Sequence, residues 1–249
     1  MSQETPDWTD LFETIRRTVL LPINPAGWPF IAAFAVGSIL LALLWEPLGW
    51  AGLVLTLWCL FFFRDPIRTI PTRDGLIVSP GCGRVVAVVT DQKLPAELDQ
   101  AMDTGFNFTR ISIFLSVFDV HVNRTPIAGT VVQTAYRPGK FLNAAVDKAS
   151  LDNEMSATLL KVNDGTKDVD IVFVQIAGWV ARRIINQLLP GQIVRTGERM
   201  GLIRFGSRID VYAPEYAVPM VAVGQTIIEG ETVLFDMKSK DTAREGRPE

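Results

Sequence analysis

The sequence predicts a mainly β (α+β) fold carried behind an N-terminal apolar helical hairpin. Three observations predict it: an apolar stretch confined to residues 28–63, a change near residue 75 to short alternating runs split by turn residues, and a closing pattern of glycines between apolar pairs. The chain has 249 residues, enough for one sizeable core and a small extra element. Its net charge of −3 offers no basic field for nucleic acid. Two cysteines, Cys59 in the apolar run and Cys82 in a glycine-rich turn, make neither a metal signature nor a disulfide framework, and they fit a reducing compartment. No metal or nucleotide motif is visible.

Residues 1–27 read as an amphipathic lead, in which Thr9 to Glu13 opens a short helix with Leu11, Phe12, Ile15, Val19 and Leu20 on one face. Residues 28–63 are the hairpin: Trp28 to Trp45 is almost wholly apolar, Glu46-Pro47 breaks it, and Leu48 to Phe63 is apolar again. Each half is near the roughly 20 residues that a spanning helix needs. Tryptophans 28, 45, 50 and 58 suit interfacial anchoring, and Arg16, Arg17, Arg64, Arg68 and Arg73 flank the pair on both outer sides. That charge pattern predicts a hairpin anchored in or on the cell membrane with both ends cytoplasmic; a buried helical pair in a soluble protein is the competing reading.

Residues 64–235 form the expected β domain. Leu76–Ser79, Arg84–Val89, Arg110–Leu115, Gly129–Val132 and Val169–Val174 read as strands, and Ala177 to Leu189 as the best helical segment of this half. Glycines 224 and 230 between apolar pairs suggest the tight turns of a compact β-sandwich, similar to lipoyl- or biotinyl-carrier-like folds. Fold likeness of that kind carries no activity. Residues 236–249 are a charged tail expected to fray.

Two constellations carry chemistry. Gly206-Ser207 lies between the apolar runs Met200–Ile203 and Ile209–Tyr212. A glycine tolerates geometries closed to other residues, and its carbonyl carbon is open to attack by the following hydroxyl. A strained Gly-Ser bond is thus a candidate for self-cleavage by an N→O acyl shift, against the plainer reading of a turn glycine and an ordinary serine. His121 is the only histidine. Asp119 stands two residues before it, and on a strand the two would share a face, with the carboxylate holding the imidazole tautomer. A histidine satisfied in a β core is the alternative.

Four blocks bring these together: Asp119 to Pro126, Asp147 to Glu154, Gln175 to Arg183, and Gly197 to Arg208. In order and spacing they resemble phosphatidylserine decarboxylase proenzymes of the short bacterial and archaeal, membrane-bound type. The resemblance covers roughly residues 60–235, with the apolar hairpin ahead of it. It implies cleavage between Gly206 and Ser207, through an ester and dehydroalanine, to a pyruvoyl group on the C-terminal fragment. That covalent cofactor would form a Schiff base with the amine of phosphatidylserine, accept the electrons left by carbon dioxide, and yield phosphatidylethanolamine. The resemblance makes Ser207, His121 and Asp119 the catalytic residues, with His121 as base in maturation and proton donor in turnover. Arg124 is a candidate ligand for the phosphate or carboxylate of the substrate, although a solvated arginine reads equally well. The implied partners are a phospholipid, the membrane, and the two fragments of the chain as a heterodimer, with higher oligomers open.

The chain departs from the family pattern at Ser79-Pro80-Gly81-Cys82-Gly83, where family members usually carry an aspartate at the position of Cys82. A thiol with an ordinary pKa of about 8.5 supplies no fixed negative charge at neutral pH. Asp119 or Asp210 could stand in. Otherwise the chain stays an uncleaved, inactive membrane-bound β-domain that binds lipid or a partner. A related serine phospholipid such as archaetidylserine is the alternative substrate.

Overall fold

A computed structural model describes residues 21–98, 107–139, 153–178, 183–204 and 206–247. The expected lead helix over Thr9 to Leu20 lies outside these residues, as does most of the block from Asp147 to Glu154. The chain divides into two compact units, Met1–Arg68 and Thr69–Glu249.

The first unit is a helical pair. A single 3-10 turn, Pro25–Gly27, leads into α1 (Trp28–Leu44), and α2 (Glu46–Phe62) follows after Trp45, whose extended backbone breaks the helix while Pro47 sits in the first turn of α2. Small residues let the two helices approach closely. A Cβ on Gly49 would lie 2.4 Å from Ala42 Cβ, a Cβ on Gly52 would lie 2.8 Å from Ser38 Cα, and Ser38 Oγ donates to the Gly49 carbonyl at 2.9 Å. Small-residue contacts and one interhelical hydrogen bond are how helices associate where water supplies no driving force. Val36, Ile39, Leu40, Leu43 and Leu44 of α1 and Trp50, Val54 and Leu57 of α2 are exposed. The 20 residues Pro25–Leu44 are long and apolar enough to cross a membrane, and by length and composition they point to membrane association.

The second unit is mainly β, as the alternating runs predict. Its largest sheet has eight strands, in the order β13 (Thr226–Ile227), β2 (Gly83–Gln92), β3 (Phe108–Leu115), β11 (Ser207–Pro214), β7 (Asp168–Ala177), β6 (Met155–Asn163), β5 (Gly129–Arg137) and β9 (Ile193–Val194). All its pairings are antiparallel. A second sheet takes β4 (Val122–Arg124), β10 (Arg199–Ile203) and β8 (Ile184–Asn186), and a third takes β1 (Leu76–Val78), β14 (Val233–Asp236) and β12 (Val218–Pro219).

The middle of the large sheet is buried on both faces. Ile111, Ile113, Leu115, Ile171, Phe173, Ile209 and Val211 fill one cluster, while Val172, Val174, Ile176 and Tyr212 join a second on the opposite face. This is why β11 is buried at every position and why the alternation of its sequence does not mark a wet face.

The helix expected over Ala177 to Leu189 is corrected: Ala177 ends β7 and Ile184–Asn186 is a strand, with residues 179–182 outside the described set. Two β-branched residues in a row favour the pleated conformation. Ladder pairing of Ile184, Ile185 and Asn186 with Ile203, Leu202 and Gly201 outweighs any helical tendency. Residues of the expected tail also meet the domain, since Asp236 is buried and the Arg244 N–H donates to the Pro219 carbonyl at 3.3 Å.

Phe173 is fully buried in the centre of the sheet. Phe173→Ala is expected to lower unfolding stability by about 3–5 kcal/mol in denaturant titration, through lost transfer energy and a cavity that rigid neighbouring strands cannot close.

Candidate active site

Three residues, Arg204, Phe205 and Gly206, link the end of β10 in the second sheet to the start of β11 in the large sheet. Both ends of this link are held. Ile203 N–H donates to the His121 carbonyl at 3.3 Å, and Ser207 lies opposite Leu115 of β3 and Ala177 of β7. Gly206 has φ +68°, a left-handed conformation that side-chain-bearing residues adopt at a cost of roughly 1–2 kcal/mol. A Cβ there would meet nothing nearer than Val117 Cγ1 at 3.8 Å, so backbone conformation and not space asks for glycine.

The groups around this bond are specific. The Gly206 carbonyl oxygen accepts the N–H of Gly178 at 3.1 Å. The Gly206 N–H donates to His121 Nε2 at 3.3 Å, and His121 Nδ1 stands 2.9 Å from the Asp119 carbonyl oxygen. With a donor facing Nε2 and an acceptor facing Nδ1, the ring is the neutral tautomer protonated on Nδ1. His121 is almost fully buried. Ser207 has no exposed surface, and its Oγ has no hydrogen-bond partner among the described residues. Leaving a buried hydroxyl unsatisfied costs about 1–3 kcal/mol, so this atom calls for an explanation.

Asp119 does not share a strand face with His121. It lies in a turn after β3, where its N–H donates to the Ser116 carbonyl at 2.9 Å and its Oδ2 accepts the Ser116 N–H at 2.7 Å. The carboxylate closes the turn, and the backbone carbonyl of Asp119 meets the imidazole. A short polar side chain that can bond its own turn competes with strand extension.

Asp210 lies on the face of β11 opposite Ser207. With a side-chain period of two, Ser207, Ile209 and Val211 point to one face of β11 and Arg208, Asp210 and Tyr212 to the other. On that far face Arg208 Nε donates to Asp210 Oδ1 at 2.6 Å, Arg208 Nη2 donates to Asp210 Oδ2 at 3.1 Å and to Ser112 Oγ at 2.9 Å, and Arg110 Nη1 is 3.8 Å from Asp210 Oδ2. Burial, together with the nearby Asp210 charge, raises the Tyr212 hydroxyl above its ordinary pKa.

Cys82 is half-buried, forms no disulfide, and sits in the turn that enters β2, where Ser79 Oγ donates to the Gly81 carbonyl at 2.6 Å. The pairings of Arg84 with Phe114 and of Phe114 with Arg208 put the end of β2 two strands from Ser207, about 10 Å at ordinary strand spacing. Arg124 is buried in β4 opposite Arg199, and its Nη1 donates to the Gly197 carbonyl at 3.1 Å. It borders a shallow cavity of about 550 Å³ with Arg195, Thr196, Gly197, Glu198 and Arg199. Arg199 and Ile203 are the two ends of β10, which puts Arg124 about 13 Å along the strand from the Ser207 end.

The sequence did not point to Gly178, Glu154 or the pair Arg183 and Arg204 as neighbours of the site. Glu154 Oε1 accepts the Tyr136 hydroxyl at 3.1 Å and the Ile184 N–H at 3.3 Å. Arg204 N–H donates to the Arg183 carbonyl at 3.2 Å, and burial, followed by the charge of Arg183, lowers the pKa of the Arg204 guanidinium. Among the described residues no cluster of His, Cys, Asp or Glu could hold a metal.

The fold and site define a mainly β domain that holds a glycine–serine bond between two sheets, beside a buried neutral histidine. The phosphatidylserine decarboxylase family model matches residues 55–235. Curated relatives named phosphatidylserine decarboxylase proenzyme come from Paramagnetospirillum magneticum (53% identity over 233 residues, 94% of each chain), Cereibacter sphaeroides (53% over 229 residues, 92% of this chain and 96% of the relative) and Ruegeria pomeroyi (53% over 227 residues, 90% and 99%). The chain belongs to the phosphatidylserine decarboxylase family.

The buried Arg208–Asp210 pair gives a test of how β11 is held. Arg208→Ala is expected to cost about 3 kcal/mol in denaturant unfolding by leaving a buried carboxylate short of its partner, and the double variant with Asp210→Ala is expected to recover part of that loss.

Proposed function

We propose that the chain is a proenzyme that cleaves itself between Gly206 and Ser207 and then decarboxylates phosphatidylserine to phosphatidylethanolamine at the membrane. The observation that carries this reading is the buried Ser207 Oγ, unpartnered among the described residues, beside a left-handed Gly206 whose carbonyl and N–H are each held by a separate partner. The printed names of the relatives support the same reaction.

In the cleavage step Ser207 Oγ attacks the Gly206 carbonyl carbon. His121 Nε2 takes the hydroxyl proton, which requires its contact with the Gly206 N–H to give way to the serine. Gly178 N–H already points at the oxygen on which negative charge develops, and a donor fixed in advance is worth more there than mobile water. The bond from the Gly206 carbonyl carbon to the Ser207 nitrogen breaks, the nitrogen leaves protonated, and the glycyl group passes to Oγ as an ester. Loss of the Ser207 Cα proton expels the Gly206 carboxylate, and addition of water with release of ammonia completes the conversion of Ser207. Ser207 fits a pyruvoyl group because it starts a strand pinned on both sides and, among the described residues, its Oγ is committed to no partner. That group supplies an electron sink for the carbon that loses carbon dioxide. His121 remains beside it, placed to return a proton to that carbon.

Cleavage would not release the smaller fragment. Residues 207–249 would keep β11 between β3 and β7, β13 beside β2, and β14 between β1 and β12, so the two fragments would share the large sheet and the third sheet. The apolar pair α1 and α2 suits the lipid substrate, and the arginines flanking it support a cytoplasmic β domain.

Carbon dioxide release from phosphatidylserine vesicles tests the reading. Wild type is expected to be active, Ser207→Ala to be uncleaved and inactive, and His121→Ala to lose at least about 100-fold in cleavage rate, the usual worth of a positioned base. Cleaved, folded protein without release of carbon dioxide would refute the activity.

A further inference from the structure

His121 and Ser207 are carried by different sheets. His121 runs directly into β4 of the second sheet, and Ser207 starts β11 of the large sheet. Their separation is therefore fixed only as well as the two sheets are fixed to each other. A buried contact ties the sheets at this place: Gln175 Nε2 donates to Asn123 Oδ1 at 2.8 Å. Asn123 is two residues after His121 and pairs with Gly201 of β10. Gln175 pairs with Ile209 of β11 and stands two residues before Ala177, the partner of Ser207. Paired residues, and every second residue along a strand, share a face of the sheet. Gln175 therefore projects from the Ser207 face as the diagonal neighbour of the serine, about 7–8 Å away between backbones.

Neither Asn123 nor Gln175 has any exposed surface. A single amide–amide bond leaves one amide nitrogen and one amide oxygen over, whichever way the two amides are turned. Here these are Asn123 Nδ2 and Gln175 Oε1, and neither has a hydrogen-bond partner among the described residues. The same face otherwise carries Phe173, Ala177, Ile209 and Val211 of β7 and β11 into the apolar core. An apolar pair of similar shape would leave nothing unpaired there and would be nearly neutral or stabilising. Stability thus explains the two amides poorly, and their place beside both reacting residues supplies another reason for them.

We propose that Asn123 and Gln175 are positioning residues, whose bond spans from β4 to β7 and sets the distance between His121 Nε2 and the Ser207 hydroxyl. This rests on the self-cleavage reading for the reaction that the bridge serves. His121 Nε2 stands 3.3 Å from the Gly206 nitrogen and has to pass to Ser207 Oγ, one residue on, within a reach of about 2.6–3.2 Å. A misplacement of about 1 Å in such geometry can cost about 100-fold. A hydrogen bond between short side chains defines a span, which non-directional apolar contact does not.

The test varies that span at constant chemistry. Gln175→Asn shortens the bridge by one methylene, Asn123→Gln lengthens it by one, and the exchange of the two residues in one chain restores its length. Cleavage of newly synthesised full-length protein is followed by intact mass against time. Each single variant is expected to cleave about tenfold or more slowly than wild type, and the exchange to recover most of the lost rate. The apolar pair Asn123→Leu with Gln175→Met is expected to melt at or above the wild-type temperature and still to cleave about tenfold slowly. A merely structural bond would move melting and cleavage together. Wild-type rates in the folded single variants or in the apolar pair, or an exchange no faster than the singles, overturns the proposal. The span series decides alone if the apolar pair does not fold.

A second readout separates the bridge from the reaction. His121 is the only histidine, so nitrogen-15 labelling of histidine reports its ring alone. In a Ser207→Ala background, which keeps the chain whole, each single variant is expected to shift the Nε2 resonance and the exchange to return it. A bridge-dependent Nε2 resonance in a protein whose wild type never cleaves would sink the self-cleavage reading and leave the bridge standing. The same resonance throughout the series, with a wild type that cleaves, would sink the bridge and leave the reading standing.

Discussion

Everything in the β unit depends on how β11 is held. Its backbone is paired on one side with β3 from Ser207 to Pro214 and on the other with β7 from Ser207 to Tyr212, and both its faces are covered. A strand held on four sides cannot shift to relieve the residue before it. β10 is equally committed, to β4 and β8 in a different sheet. The short link between them must therefore absorb the change of sheet, and Gly206 at its end is left-handed. Backbone in such conformations persists only where surrounding structure over-determines it, and it concentrates at functional sites.

The same strand separates two kinds of chemistry by side-chain alternation. The Ser207 face carries Ile209 and Val211 into an apolar core, which keeps water from the serine hydroxyl. The opposite face carries the Arg208–Asp210 pair, buried but satisfied by fork geometry and by Ser112. A fixed charge pair on the Ser207 face would compete for His121 in the proposed cleavage. On the far face it anchors the strand without facing the site. Central placement of β11 also means that a break ahead of Ser207 leaves the pairing of β11 with β3 and β7 from Ser207 onward intact.

Much of this was legible in the sequence. The apolar segment with its Glu46-Pro47 break, the mainly β texture and the family were readable because each rests on local pattern or on several blocks together. Ser207 and His121 stood out by position and by rarity. What escaped depended on non-local pairing. Ile184–Asn186 carries a helix-compatible sequence and becomes a strand only because β10 offers a partner 17 positions on, Leu202 facing Ile185. Asp119 read as a strand neighbour of His121, but its side chain turned back on Ser116. The Gly178 N–H is a backbone donor, which no side-chain pattern announces. The Asn123–Gln175 bond exists only in the packing of two sheets, though each residue stood inside a block that marked the family.

Intact mass of the purified full-length protein tests the central claim most directly. The account predicts two species that elute together, the smaller running from residue 207 to residue 249 with its first residue converted from serine to pyruvoyl. A single full-length mass, with Gly206 and Ser207 still joined in folded protein, would contradict it. The strained link would then be a fixed feature of the fold, and Cys82 in place of the family's aspartate would be the first substitution to reverse.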